Sequence, residues 1–396
     1  MVSMTHGQDM RAGQYVRQPT GCRAFIPRPT PAVSELRIEG ELLQLLSRAD
    51  QALGRLDASA DVLPNPDLFV AMYVGKEAVL SSQIEGTRAS LTDLLEHEAL
   101  RVRKGWQSDV GEVVNYVRAM HYGLERLRTL PISNRLLREI HKELLKGVRG
   151  GEKSPGDFRT SQNWIGPSGS DLSTAAFVPP PPFEMQQAMG ELEDYIHRDT
   201  TMPILIKAGL IHSQFETIHP FLDGNGRMGR LLITFFLCQQ GVLKRPLLYL
   251  SLYFKENRDE YYNRLQSVRE AGEWEHWLRF FLTAVLYVSG EAAETARQII
   301  KMREQHRKMI QEKVIRSVKG LELLDLLYQE PFMTVSRAMG RLNVSYPTAN
   351  SLIANFARLE LLKEITGRKR NRVFVYGQYV VLLEKGITQG GRGNQP

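Results

Sequence analysis

The chain has 396 residues, 42% hydrophobic and 24% charged, enough for two or three domains with full cores, and its apolar runs, such as 282–288, are far too short for a membrane span. No secretory core opens it and its two cysteines, Cys22 and Cys238, cannot make a disulfide framework, so a cytoplasmic protein without membrane association is expected. Net charge is +7, but residues from Lys301 onward hold 17 Lys and Arg against 8 Asp and Glu, so the basic character belongs to the C-terminal part.

Residues 1–35 are polar, and Pro19, Pro27, Pro29 and Pro31 break any regular element, which predicts an extended arm. A helical module over 36–108 follows. Its first helix runs from Leu36 to Leu53 on Leu42, Leu43, Leu45 and Leu46, and its second from Asp67 to Ile84. The second closes on Ser81-Ser82-Gln83-Ile84-Glu85-Gly86, with Gly86 suited to a left-handed C-cap. Glu85 stands at the helix end that disfavours a carboxylate unless a cation answers it; taken alone it reads as a solvated residue.

A core over 109–290 opens with two amphipathic helices, 109–127 and 133–145. Glycines and prolines dominate 149–182, where Asn163-Trp164-Ile165-Gly166 and Ala175-Ala176-Phe177-Val178 can pair as short strands about the turn 167–173. On composition alone this is a surface loop. Another helix spans 183–196, and apolar helical segments 204–215 and 231–238 then flank His219-Pro220-Phe221-Leu222-Asp223-Gly224-Asn225-Gly226-Arg227-Met228-Gly229-Arg230.

That stretch reads as a helix–loop–helix whose second helix is N-capped by Asn225, its free N–H groups turned into the loop as an anion cradle. Arg227 and Arg230, three apart, share a face and oppose the helix dipole, so they call for anions, and guanidinium forks suit phosphate. Asp223 offers a hard oxygen of the kind Mg²⁺ accepts alongside nucleotide phosphates, and His219 an imidazole able to take a proton. A glycine-rich turn with a surface histidine would be the plain reading of a lone Gly-Asn-Gly; the whole combination between two helices argues against it. No Walker A motif competes, since Gly75-Lys76 is followed by Glu77 and lacks the earlier glycine.

Past Pro246, a segment 247–254, Asn257 to Tyr262 leading into a helix, and a helix 274–286 close the core, and a charged linker helix spans 291–312. Residues 313–385 read as helices 321–328, 335–342 and 345–359, then 361–366 and 372–376 about a basic tip. Helix–helix–helix–hairpin is the winged-helix order. Arg368, Lys369, Arg370 and Arg372 suit phosphate contacts of DNA, while a solvated turn on a docking or dimerisation domain explains them equally. Residues 386–396 read as a disordered tail.

The stretch at His219 resembles the Fic proteins, whose signature is His-Pro-Phe, two residues, Gly-Asn-Gly-Arg, two residues, Arg; every position is filled here. The resemblance implies a mainly α fold, a helical core with a short β-hairpin flap joined to the C-terminal winged helix, that transfers AMP from ATP to a hydroxyl of another protein. It implies His219 as base, Asp223 as Mg²⁺ ligand, Gly224, Asn225 and Gly226 as phosphate loop, and Arg227 and Arg230 as phosphate and inhibitor contacts. Ser81, three residues, Glu85-Gly86 resembles the family's inhibitory motif, in the subgroup that carries it on an N-terminal helix, with Glu85 pairing the last arginine.

Residues 155–159 and 162–166 resemble the flap whose edge pairs with the target, which implies Asn163, Trp164, Ile165, Phe177 and Val178 as target-binding residues. Asn257 and Tyr261 are the implied adenine contacts. Three functions follow as expectations: a protein adenylyltransferase using ATP and Mg²⁺, held off by Glu85 and able to modify itself; an enzyme that removes AMP from a modified protein; or a nucleotide-sensing regulator that binds DNA. Monomer and homodimer both stand open, as do the target and the modified side chain.

Overall fold

The computed structural model describes residues 11–19, 21–61, 63, 66–100, 108–167, 169–198, 201–313, 318–368 and 370–384. The first element corrects the expected arm. Strands β1 (Gly13–Arg17) and β2 (Arg23–Pro27) pair antiparallel, Tyr15 opposite Phe25, with Ala24 and Phe25 fully buried. The prolines permit this because Pro19 lies in the turn, Pro27 is the last strand residue, and Pro29 and Pro31 lie beyond it. Gly13 is required: at its φ of +148° a Cβ would meet the Ile26 carbonyl oxygen at 2.3 Å. The rest of the expected arm, 1–10, and the expected disordered tail, 386–396, lie outside the described residues.

Apolar positions at helical spacing then build α1 (Gly40–Asp61), α2 (Pro66–Ile84), α3 (Leu91–Leu100), α4 (Ser108–Arg126) and α5 (Asn134–Leu144). Ser133 caps α5, its side chain accepting from the Leu136 amide. After the long loop come α6 (Pro182–His197), α7 (Ile204–Ile218), α8 (Asn225–Gln239), α9 (Ser251–Glu256), α10 (Arg258–Ala271) and α11 (Trp274–Lys313). The core centres on α7 and α8, which are buried on nearly every side because α2, α4, α6, α10 and α11 pack around them. Glycines allow the closest approaches: a Cβ on Gly209 would meet Leu278 and Phe281 at 3.1 Å, and one on Gly123 would lie 2.3 Å from the Phe235 ring.

The expected break between a core helix and a linker helix is absent: α11 is continuous over 40 residues, about 60 Å at 1.5 Å per residue. No proline interrupts it, and Val288, Ala292, Ala296, Ile299, Met302 and Ile310 keep one face buried through Gly290. That packing outweighs the roughly 1 kcal/mol cost of one helical glycine. Beyond it, α12 (Val318–Gln329), β3 (Phe332–Thr334), α13 (Val335–Leu342), α14 (Tyr346–Arg358), β4 (Lys363–Glu364), β5 (Val373–Val375) and α15 (Gly377–Glu384) form a tail with a small antiparallel sheet ordered β3-β5-β4. Its three helices and hairpin lie near the expected spans; β3 and α15 were not foreseen. His306 of α11 shares a 2.6 Å hydrogen bond with the Tyr376 hydroxyl, which lies 3.0 Å from that of Tyr328, fastening the tail to the long helix. Among the described residues no helix is long and apolar enough to cross a membrane.

Candidate active site

The loop joining α7 to α8 is held from both sides. Helix α7 stops at His219, whose amide donates to Phe215 O at 2.9 Å and whose φ is +51°, left-handed for a residue that is not glycine. Proline follows and cannot extend the helix. Asn225 does not cap α8, as the sequence suggested; Gly224, at φ +76°, takes that place. The Asn225 carboxamide instead closes the loop on Phe221, accepting from its amide at 2.9 Å and donating to its carbonyl at 2.8 Å. An ionised carboxylate could make only the first of these bonds, whereas the carboxamide offers an acceptor and a donor on separate atoms, one for each Phe221 backbone group.

Residues from the preceding loop grip the remaining carbonyls. The Arg159 amide donates to Pro220 O at 2.9 Å and its Nε to His219 O at 3.0 Å. His141 stacks on Phe221 with ring centroids 3.7 Å apart. Its Nδ1 accepts from the Gly156 amide at 2.9 Å, so its Nε2 carries the proton donated to Asp223 O at 2.9 Å.

The flap residues fall into two groups. Asn163, expected to face the target, is buried and turned inward, its Nδ2 donating to Phe221 O at 2.9 Å. Phe177 and Val178 are also buried, and Val178 O is taken by the Phe25 amide at 2.9 Å. Trp164 is exposed, its indole donating to Ser170 O at 2.8 Å, and Ile165 is half-buried. The expected strand pair reduces to one bridge, Ile165 with Phe177, their amides and carbonyls exchanging bonds of 2.8 and 3.0 Å.

Charge is where the site is most constrained. Arg230 is buried and engaged through two of its nitrogens: Nη2 donates to Glu85 Oε1 at 2.7 Å and Ser81 O at 2.9 Å, and Nε to Ser81 Oγ at 2.8 Å. Burial works to raise the Glu85 carboxyl, but the Arg230 guanidinium outweighs it and holds the group below its ordinary value. Arg227 donates to Glu112 Oε2 at 3.0 Å and lies 3.7 Å from Asp223 Oδ1. Glu112 is itself buried, its carboxyl raised by that burial against Arg227, and it also pairs with Arg149 at 3.2 Å. Asp223 Oδ1 accepts from the Gly224 amide at 2.6 Å, and Lys153 Nζ stands 3.4 Å from Oδ2. Both signature arginines are therefore matched by carboxylates brought in by α2 and α4.

His219 has Nδ1 3.4 Å from Glu216 O. Burial, then the Arg269 and Arg159 guanidiniums, push its pKa down to about 3. Burial raises Glu216 to about 7, against the pull of Arg230. A cleft of about 510 Å³ opens over these groups, lined by Glu85, Ile165, Phe177, Glu216, His219, Gly226, Arg230, Arg258, Tyr261, Tyr262 and Arg269 among others. Tyr261 walls the cleft but turns its hydroxyl to His212 Nε2 at 2.8 Å. Asn257 does not line it; its Nδ2 donates to Tyr253 O at 3.0 Å. Sequence reasoning missed Glu112, Lys153, Glu216 and Arg269, and reached Arg159 only as part of the 155–159 flap motif. Nothing local marks them, because each matters through a partner distant in sequence or through burial.

The buried rings carry a prediction. His141, His212 and His219 are held neutral chiefly by burial, at about 4, 3 and 3 against 6.5. The unfolded chain takes up these protons below pH 6.5 and the folded chain does not, so the stability is present above pH 6.5 and lost on acidification toward pH 3. Glu77 and Glu216, raised to about 7, act oppositely and offset part of the loss. Calorimetry should show Tm falling from pH 6.5 to 4.5, more steeply in Glu216→Gln; a flat or rising Tm would mean the rings are not held neutral.

Residues 43–125 match the family model described as Fic/DOC family N-terminal, and residues 131–237 that described as Fic/DOC family. A protein of Aquifex aeolicus named probable protein adenylyltransferase is 28% identical over 209 residues, 51% of this chain and 57% of that one. A protein adenylyltransferase Fic of Drosophila willistoni is 29% identical over 172 residues, 43% of this chain and 31% of its own length. The fold is that of a crystallised Fic family protein from Desulfovibrio desulfuricans, with a TM-score of 0.56 at 18% identity over 93% of this chain and all of the other.

Proposed function

We propose that this chain, which carries a Fic N-terminal region followed by a Fic domain, is a protein adenylyltransferase that moves AMP from ATP to a Ser, Thr or Tyr hydroxyl and is held off by Glu85. The observation that carries the reading is one loop presenting His219, Gly226 of the first turn of α8 and the buried Arg230 to a single cleft, with Arg230 already paired to Glu85 at 2.7 Å and Arg227 buried against Glu112 at 3.0 Å. The target hydroxyl attacks the α-phosphorus, the bond to the β-phosphate breaks, pyrophosphate leaves, and the hydroxyl proton passes to His219 Nε2. A ring held neutral is in the form that can accept it.

The amides of Asn225, Gly226 and Arg227, which have no partner within the helix, and the Arg227 guanidinium would take the phosphate charge. Asp223 fits a Mg²⁺ that arrives with the nucleotide, since one carboxylate oxygen beside phosphates is that ion's usual protein contact, and when bound the ion would neutralise the leaving pyrophosphate. Tyr261 and Tyr262 would face the base, and the exposed 164–166 edge would orient a target strand through its backbone. With no target present the same chemistry reaches hydroxyls of the chain itself. Incubation with α-labelled ATP, Mg²⁺ and lysate, followed by mass spectrometry, should find the AMP adduct; release of AMP from modified protein without any adduct formation would favour the reverse enzyme.

We assign the tail to the winged-helix class, with DNA as its partner. The supporting observation is a basic tip whose Arg368, Arg370 and Arg372 are exposed, together with an α14 that exposes Tyr346, Thr348 and Ser351. DNA affinity should fall steeply with salt, and alanines at the three arginines should flatten that slope by roughly one unit each. Salt-insensitive or absent binding would return the tail to a docking role.

A further inference from the structure

The flap includes a strand from far away in sequence. Next to the Ile165–Phe177 bridge, Val178 O accepts from the Phe25 amide of β2 at 2.9 Å. The Phe25 ring is fully buried, 5.1 Å from Tyr15 and 6.1 Å from Phe177. Phe177 in turn lies under Arg269, whose guanidinium carbon is 3.9 Å from the ring centroid. Arg269 donates to Thr217 Oγ1 at 3.2 Å and Glu216 O at 3.1 Å, in the turn of α7 that ends at His219. An unbroken set of contacts thus runs from the N-terminal hairpin through the flap to the imidazole.

The hairpin is itself anchored to the catalytic helices. Arg11 forks onto Glu275 at 2.8 and 3.0 Å and also donates to Gly272 O at 3.0 Å and Glu35 O at 2.7 Å. Gln214 of α7 donates to Arg28 O at 2.8 Å. A flap with a single bridge has little stability of its own, since isolated two-stranded pairs are marginal in water. A third strand with fixed ends supplies what it lacks.

We propose that the N-terminal hairpin is a positioning element for the protein acceptor: β2 permanently occupies the Val178 edge of the flap, sets the flap's height over His219, and leaves the 164–166 edge for the incoming target strand. This rests on the adenylyltransferase reading. A protein hydroxyl held by the flap must arrive in line with the α-phosphorus, and a misplacement of about 1 Å costs about 10²-fold. Water attacking the same phosphorus, releasing AMP and pyrophosphate, needs no flap. The ratio of protein-bound to free AMP therefore reports the hairpin's role.

The test uses the full chain in the Glu85→Gly background with α-labelled ATP and lysate protein as acceptor. Phe25→Pro removes the donor to Val178, and it does not cut the β1–β2 ladder because that N–H points to the flap. Phe25→Leu keeps the donor and most of the apolar volume. Phe25→Pro should lower protein-bound AMP by about tenfold or more, while free AMP and the ATP-induced rise in Tm stay within about twofold. Amide exchange at Ile165 and Phe177 should quicken, and Phe25→Leu should restore most of both effects. A parallel fall of bound and free AMP would reduce the hairpin to a fold support, and undiminished bound AMP would overturn the proposal outright. If the parent forms no AMP product of either kind, the adenylyltransferase reading fails by itself; unchanged exchange at Ile165 and Phe177 would then overturn the bracing of the flap.

Discussion

Replacing Glu85 by glycine is expected to raise AMP incorporation about 10²-fold or more, with a much smaller change in nucleotide affinity. Arg230 can fork to one anion at a time, and its Nη2 is spent on Glu85 Oε1 at 2.7 Å while Ser81 holds Nε at 2.8 Å. The carboxylate also sits against the cradle itself: a Cβ on Gly226 would lie 2.3 Å from Glu85 Oε1, so only glycine there admits it. A terminal phosphate approaching Arg230 therefore meets a negative charge in its place. On the proposed reading ATP would bind in a shifted pose, its α-phosphorus out of line with the acceptor. Glu85→Asp should release activity only partly, since the carboxylate remains one carbon short. Arg230→Ala should remove the clamp yet stay poor in catalysis for want of the phosphate contact. The Glu85→Gly protein should also melt lower, because a buried guanidinium loses its counter-charge, and ATP should restore Tm by occupying it. Unchanged incorporation, self-modification included, would make Glu85 an ordinary helix-end residue. Loss of AMP removal from a modified target would make the reverse enzyme the better description.

His219→Ala, made in the released background, is expected to cost about 10²–10⁴ in AMP transfer while ATP still binds. The loop amides, Arg227 and Arg230 are untouched by it; only the nitrogen that receives the proton is gone. The residue sits at φ +51°, a left-handed conformation that strains alanine as it does histidine. His219→Asn, which tolerates that conformation better, separates loss of the imidazole from that strain. If both variants lose transfer and keep the ATP-induced rise in Tm, the imidazole is the base. Retention of near-full activity in His219→Asn would remove His219 from that role.

The sequence by itself determined what is contiguous. Helices α2, α4, α5, α6 and α13 lie within a few residues of their apolar spacing, and the His219 to Arg230 loop could be read directly because its cradle, acid and arginines are near neighbours in one turn. The Glu85–Arg230 pair was reached by a motif and by charge at a helix end, across 145 residues. Tertiary structure decided everything that depends on a partner elsewhere. Asn225 became a loop clasp because one carboxamide answers two Phe221 backbone groups, and Asn163 turned inward for the same kind of reason. Glu112 met Arg227 across 115 residues, and Phe25 met Val178 across more than 150, contacts that no local period encodes. The two helices expected within 274–312 became one because side-chain burial along α11 overrode a single glycine. Helix period and turn chemistry act over a few residues, whereas the satisfaction of buried charges and backbone groups is settled only when distant segments come together.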